Sequence, residues 1–160
     1  MSGLSRRGAH FIGRFEGWRA EPYNDAANNA TIGFGHLLHD GPVTAADRRR
    51  WGTLTEERGI ELLLEDAATA SAAVDRAVHR ALSQCERDAF VSFAFNCGGG
   101  ALEGSVGQAV DAGHDPTPHL EEWSHAGGRV LPGLLRRRQA EARLFVHGDY
   151  GDGEKPQPPR

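Results

Sequence analysis

The sequence predicts a mostly helical α+β fold, and three observations carry that expectation. Long stretches repeat apolar residues at helical spacing, glycine and proline punctuation divides them into short elements, and one β-like, glycine-bearing stretch stands near the front. At 160 residues the chain suits one compact domain pinched into two lobes. Its 39% apolar and 25% charged content is ordinary for a globular protein.

The first element is a helix. Leu4, Gly8, Phe11, Ile12 and Phe15 share one helical face, and Gly17 supplies a stop, so the helix is expected to end at Glu16. From Trp18 the pattern changes. Pro22 acts as a breaker, Ala27-Asn28-Asn29-Ala30 reads as a turn, and Thr31-Ile32-Gly33-Phe34-Gly35-His36 reads as a strand. The expectation is a small antiparallel hairpin or three-stranded sheet.

After the loop Asp40-Gly41-Pro42, Thr53-Leu54-Thr55-Glu56 has capping-box form and opens a long helix with Ile60, Leu63, Leu64, Ala67, Val74 and Val78 along one line. This helix, over about 56–80, would bridge the lobes. Ser83-Gln84-Cys85-Glu86 repeats the capping box ahead of Ala89, Phe90, Phe93, Ala94 and Cys97, stopped by Gly98-Gly99-Gly100. Further helices are expected over Ser105–Ala112, Pro118–His125 and Pro132–His147. The organisation is then an α+β lobe over 1–55, the bridge, a helical lobe over 81–150, and a disordered proline-rich tail over 151–160.

Composition excludes several functions. No run approaches 18 apolar residues, and the first ten residues lack the apolar core of a signal peptide, so synthesis in a cytoplasm is expected without membrane insertion. A net charge of −4 argues against a nucleic-acid binder. The basic cluster Arg136, Arg137, Arg138 and Arg143 reads as a solvated helix face, with a wall- or polyanion-facing patch as the functional alternative. Cys85 and Cys97 fall on one helix, roughly 18 Å apart at ~1.5 Å per residue, too far for a disulfide, and read as core residues.

The chemistry concentrates where the first helix meets the hairpin. Glu16 stands at a helix C-terminus between Phe15 and Trp18, where apolar surroundings and the dipole's negative end disfavour ionisation and favour a general acid. Asp25 lies in a polar turn with Asn24, Asn28 and Asn29, which favours the ionised form. Two carboxyls in opposed environments suit glycoside hydrolysis, and Thr31 across the hairpin could present its hydroxyl to the same water. Spacing alone also fits a surface glutamate and a turn-forming aspartate, since the chain has 22 acidic residues.

These residues resemble the phage T4-type lysozymes, the muramidase endolysins of glycoside hydrolase family 24. The likeness rests on Glu16-Gly17, Pro22-Tyr23-Asn24-Asp25 and Thr31-Ile32-Gly33-Phe34-Gly35-His36-Leu37-Leu38. It continues in Asp88 through Asn96, and in Trp123 with Ala126 through Arg138 and Glu141. The resemblance implies a lysozyme-like fold, with a small α+β lobe joined by a long helix to a helical lobe and a polysaccharide in the cleft between them. It implies cleavage of the β-1,4 bond between N-acetylmuramic acid and N-acetylglucosamine in peptidoglycan. Glu16 would be the acid, Asp25 and Thr31 would position and activate water, and the product would be inverted. Tyr23, Phe34 and Asn96 become candidates for substrate binding, and His36 with Asp66 a structural pair.

No cofactor and a monomer are expected, and without a signal segment the enzyme would depend on a separate pore-forming protein for reaching the wall, or act from outside. Alternatives are a lytic transglycosylase, a zinc amidase and a non-catalytic wall-binding protein. A zinc site using His36 and His39 lacks a third ligand at motif spacing. The chain departs from the family at Val106-Gly107-Gln108-Ala109-Val110, a poor helix with a glycine inside it, and in being acidic overall.

Overall fold

The computed structural model describes residues 3–153. The elements in chain order are α1 (Arg6–Glu16), β1 (Arg19–Asn24), β2 (Ala30–Gly33), β3 (His36–His39), α2 (Ala45–Trp51), α3 (Glu56–Asp66), α4 (Ala68–Ala77) and α5 (Gln84–Cys97). They continue with a 3-10 turn over Gly99–Leu102, α6 (Ser105–Asp111), α7 (Thr117–Glu121), a 3-10 turn over Glu122–Ser124, β4 (His125–Ala126), β5 (Arg129–Val130) and α8 (Pro132–His147). The chain forms two compact units, one of residues 12–66 and one whose described part is 3–11 and 67–153. It passes between them inside α1 and again at Asp66–Ala67.

The unit of residues 12–66 is built on the antiparallel sheet β1-β2-β3. Ile32, Leu54 and Leu62 form its buried centre, with Trp18, Leu38 and Trp51 packed around them. Pro22 does not break the chain as expected; it lies within β1. β1 is an edge strand whose register slips between Arg19 and Tyr23, and an edge or bulge is where a sheet tolerates a residue without an N–H. The expected strand over 31–36 is two strands, because Gly33 and Gly35 at φ 68° and 85° turn the chain at Phe34–Gly35.

α2 was not anticipated, although its signal is present. Thr44 accepts from the Asp47 amide at 3.2 Å while the Asp47 carboxylate accepts from the Thr44 amide at 2.7 Å, a reciprocal cap with aspartate in the usual glutamate place. At α3 the cap is Thr55, which accepts from the Arg58 amide, and not the Thr53 box read from sequence. The helix expected over 56–80 is two segments, α3 and α4, separated at Ala67 (φ −75°, ψ −4°) and ending at Ala77.

The other unit is helical. Phe90 stacks on Phe145 at 4.8 Å, joining α5 to α8, and Val74, Leu102, Val110, Leu120 and Leu144 are buried around them. The Ser83 capping box is present, with Glu86 N–H donating to Ser83 Oγ and Ser83 N–H to Glu86 Oε2. Gly107 explains the weak helix α6: a Cβ there would come 2.5 Å from the Leu102 carbonyl oxygen and 2.9 Å from that of Ala77. The expected helix over 118–125 is the short α7, a 3-10 turn and then β4. Gly127 and Gly128, at φ 59° and 77°, make the two-residue turn joining β4 to β5.

Asp88 is a buried hub of this unit. Its carboxylate accepts from Ser5 N–H at 2.9 Å, Ser5 Oγ, Gln84 Nε2 at 2.9 Å and the Tyr150 hydroxyl at 2.7 Å. Burial, then the Asp88 carboxylate, pushes the Tyr150 phenol well above its ordinary value. Arg7 closes the same corner, donating to both oxygens of Asp152 at 2.7 and 2.8 Å with its guanidinium 4.2 Å from the Tyr150 ring centre. The start of the segment expected to be a tail is therefore tied down; residues 154–160 lie outside the described residues.

The arginine cluster is also corrected. Arg137 and Arg138 are buried, not solvated, and converge on the buried Glu141, with Arg138 Nε 2.7 Å from Glu141 Oε2. Ser92 Oγ donates to Glu141 Oε1 at 2.7 Å. Arg136 and Arg143 are exposed. Both cysteines lie on α5 as free, half-buried thiols.

Candidate active site

Glu16, Asp25 and Thr31 all belong to the unit of residues 12–66. Glu16 is the last residue of α1 and half-buried. Gly17, at φ 77°, ends the helix by donating to the Gly13 carbonyl at 3.2 Å and turns the chain toward β1. Of its flanking aromatics, Phe15 is 37% exposed, while Trp18 packs on Phe34 with ring centres 4.8 Å apart. Gly59 makes room for that pair, since a Cβ there would run into the Trp18 ring.

Asp25 follows β1 and begins a tight turn. Its backbone N–H donates to Asn29 O at 3.0 Å, its carbonyl accepts from Asn28 N–H at 2.9 Å, and Asn28 takes the left-handed conformation at φ 63°. Oδ1 of Asp25 accepts two backbone amides, from Ala27 and Asn29, each at 2.9 Å. Oδ1 is therefore committed to the turn, while Oδ2 takes no part in those two bonds. This is an Asx-type arrangement, which aspartate forms readily.

Thr31 lies in the central strand β2 and is buried. β1–β2 register sets Tyr23 opposite Thr31 and Asn24 opposite Ala30, so the turn folds Asp25 back beside Thr31. Thr31 Oγ1 is 3.5 Å from Asp25 Oδ2 and donates to the Asn29 carbonyl at 3.0 Å. With its proton used in that shorter bond, the hydroxyl oxygen offers lone pairs next to Asp25 Oδ2. Asn29 reaches beyond the turn, its Oδ1 accepting from Gly41 N–H at 2.9 Å.

The other candidates fall as follows. Tyr23 is half-buried beneath the Arg19 guanidinium, 4.7 Å from its ring centre. Phe34 is engaged in packing with Trp18 and against Gly13. Asn96 is exposed near the end of α5, in the other unit. His36 Nδ1 lies 2.9 Å from Asp66 Oδ2 at the end of α3. His39 has separate partners, Asp40 O through Nδ1 and Asp47 Oδ2 through Nε2, each at 2.8 Å. The Asp40 carbonyl and then Asp47 raise the His39 pKa, and the Thr44 amide with His39 lowers Asp47 to about 2. Sequence reasoning missed this pair, although His39 and Asp47 flank the Thr44 cap. Among the described residues no three His, Cys, Asp or Glu side chains are grouped to hold a metal ion, and no helix is long and apolar enough to cross a membrane.

Comparison with known proteins gives the family of the chain. An endolysin of Bacillus phage B103 is 33% identical over 151 residues, covering 91% of this chain and 55% of the relative. The chain thus spans about half the length of that relative. The solved endolysin from Escherichia coli O157:H7 phage FAHEc1 superposes with a TM-score of 0.75 at 30% identity, covering 98% of each chain. A solved P22 lysozyme gives 0.78 at 30% identity, covering 91% of this chain and 99% of its own. Residues 13–141 match the phage lysozyme family, a span that holds Glu16, Asp25 and Thr31, and the chain belongs to that family.

Proposed function

We propose that this chain is an endolysin that hydrolyses the β-1,4 bond between N-acetylmuramic acid and N-acetylglucosamine in bacterial peptidoglycan, with inversion, to lyse a host cell. The observation that carries the reading is the Asp25–Thr31 arrangement in the unit that also bears Glu16. Asp25 Oδ1 is saturated by two amides, so Oδ2 is the oxygen available as base. A water touching Oδ2 and Thr31 Oγ1 directs one proton to each and turns its own lone pair outward to the anomeric carbon. Glu16 gives a proton to the leaving oxygen as the bond breaks. Attack from the face opposite the leaving group inverts the anomeric carbon.

Tyr23, Phe34 and Asn96 are proposed to contact sugar, Phe34 in addition to its packing, while the His36–Asp66 pair fixes β3 to α3. The chemistry asks for no cofactor, nucleic acid or second subunit. The enzyme works as a monomer at the cell wall, made in the host cytoplasm, with a separate pore-forming protein providing passage across the membrane. The organisation proposed is an α+β lobe, a helical connection and a helical lobe.

Mass spectrometry of fragments released from purified sacculi tests the reaction. Reducing N-acetylmuramic acid ends are expected. Anhydro ends would make the chain a transglycosylase, free peptides an amidase, and no release a non-catalytic wall binder. Glu16→Gln should fold and lose activity by about 10² to 10⁴-fold, and substantial activity in that folded variant would sink the assignment.

A further inference from the structure

Most arginines with partners in this chain serve the fold. Arg137 and Arg138 are buried on Glu141, Arg7 grips Asp152, Arg80 pairs with Glu86, Arg87 with Asp75 and Arg58 with Glu61. Arg48, Arg49 and Arg50, in the last turn of α2, are different. All three are exposed, and among the described residues none of their guanidinium groups pairs with a carboxylate or donates a hydrogen bond; Arg50 alone has a neighbour, the Trp51 ring at 5.8 Å. The last turn of a helix favours cations, which accounts for their placement but leaves their donors unused. The contrast is sharper because residues 12–66 carry more carboxylates than guanidiniums.

α2 is fixed to the strand that leads into Asp25. Val43 N–H, just ahead of the helix, donates to Asn24 Oδ1 at 2.7 Å, and Leu54 N–H, just after it, donates to Ala20 O at 2.7 Å. Three consecutive residues fan over about 200° of a helix surface. Such a fan suits a polymer with repeated charges better than a single small anion.

We propose that Arg48, Arg49 and Arg50 form a docking surface for the carboxylates of the peptide stems that peptidoglycan carries along its glycan strands, an inference that rests on the substrate reading above. Each guanidinium presents a planar fork that matches a carboxylate in bidentate fashion. Single exposed contacts of this kind are weak, and their effect comes from several acting on one strand. The stems occur on the same strand as the bond to be cleaved, so this surface raises the local concentration of substrate around a chain whose net charge is −4. The attraction is screened within about 8 Å at physiological salt, so it fades as salt rises.

The test is cosedimentation with purified sacculi in the cold, which reads binding whether or not the glycan is cut. Three preparations are compared: sacculi freed of phosphate polymers, the same material with its carboxylates amidated, and sacculi retaining their phosphate polymers. The wild-type chain should be retained on the first about tenfold better at low than at high salt, and lose most of that retention on the amidated material. Arg48→Gln, Arg49→Gln and Arg50→Gln combined should lose the salt-sensitive part, with an unchanged thermal midpoint showing that the fold is intact. The triple lysine variant should recover part of it. Retention indifferent to amidation, or equal in the glutamine variant, overturns the proposal, and so does retention that requires the phosphate polymers. Good retention with no release of reducing ends would instead defeat the proposed function and leave the binding surface standing.

Discussion

The Asp88 hub allows a stability prediction worked from counted contacts. The carboxylate is fully buried and accepts four hydrogen bonds, two from Ser5 and one each from Gln84 and Tyr150. Tyr150→Phe removes one bond to a charged acceptor while keeping the ring against Phe11 and Arg7, and should cost about 2 kcal/mol. Asp88→Ala strands donors from three residues, of which the Tyr150 hydroxyl is the most deeply buried, and should cost about 4 kcal/mol. Against a total stability of roughly 5–15 kcal/mol either change is easily read by urea unfolding. The two variants combined should cost less than their sum, since they share one bond. Because the folded chain holds the Tyr150 proton more tightly than the unfolded chain, this contribution is complete below about pH 10 and is lost as pH rises further. Spectroscopic titration should show one of the two tyrosines resisting ionisation until the chain unfolds. A loss under 1 kcal/mol for Asp88→Ala would refute the hub.

Three further predictions follow from the same kind of reasoning. For the half-buried His39–Asp47 pair, the His39 contribution is present below its unfolded pKa and fades as pH rises through the folded value, while that of Asp47 is present above its unfolded pKa and fades as pH falls toward about 2. Stability from the pair should therefore peak between roughly pH 4 and 6.5, and the stability difference between wild type and His39→Gln, followed by urea unfolding across pH, should shrink outside that window; a constant difference would contradict it. Glu141→Gln leaves two buried guanidiniums without a counter-charge and should cost about 3–5 kcal/mol, so a denaturation midpoint close to wild type would show that the pair is not buried as described. Gly59→Ala should destabilise by about 1–3 kcal/mol through overpacking against Trp18, with a changed tryptophan emission, and Gly59→Ala behaving as wild type would mean that Trp18 does not lie there.

Much of this was legible where one local rule decides. Pro132 in the first turn opens α8, which runs to His147 as read from the sequence, and Ser83 with Glu86 announces α5. The spacing from Asp25 to Thr31 also has a local cause, because a five-residue connection, Asp25 to Asn29, returns the chain to the register that pairs Asn24 with Ala30. What stayed hidden depends on neighbours distant in sequence. Pro22 reads as a breaker until β1 is known to be an edge strand, and Gly107 reads as a weak helical residue until two carbonyl oxygens are found against it. Arg137 and Arg138 look like a solvated charge run, although Glu141 at helical spacing was a signal that they could be buried together. Asp88 gave no sign that Ser5 and Tyr150, at opposite ends of the chain, would both point at it.

The roles given to Asp25 and Thr31 make one demand on the product that no structural role would make. Hydrolysis of a soluble peptidoglycan oligomer is followed by proton NMR of the anomeric region from its first moments, before mutarotation mixes the forms. A water activated by Asp25 Oδ2 and held by Thr31 gives the α-anomer first from a β-linked strand. Early appearance of the β-anomer would mean that Asp25 attacks the sugar itself through a covalent intermediate, and the account of the water between Asp25 and Thr31 would be wrong.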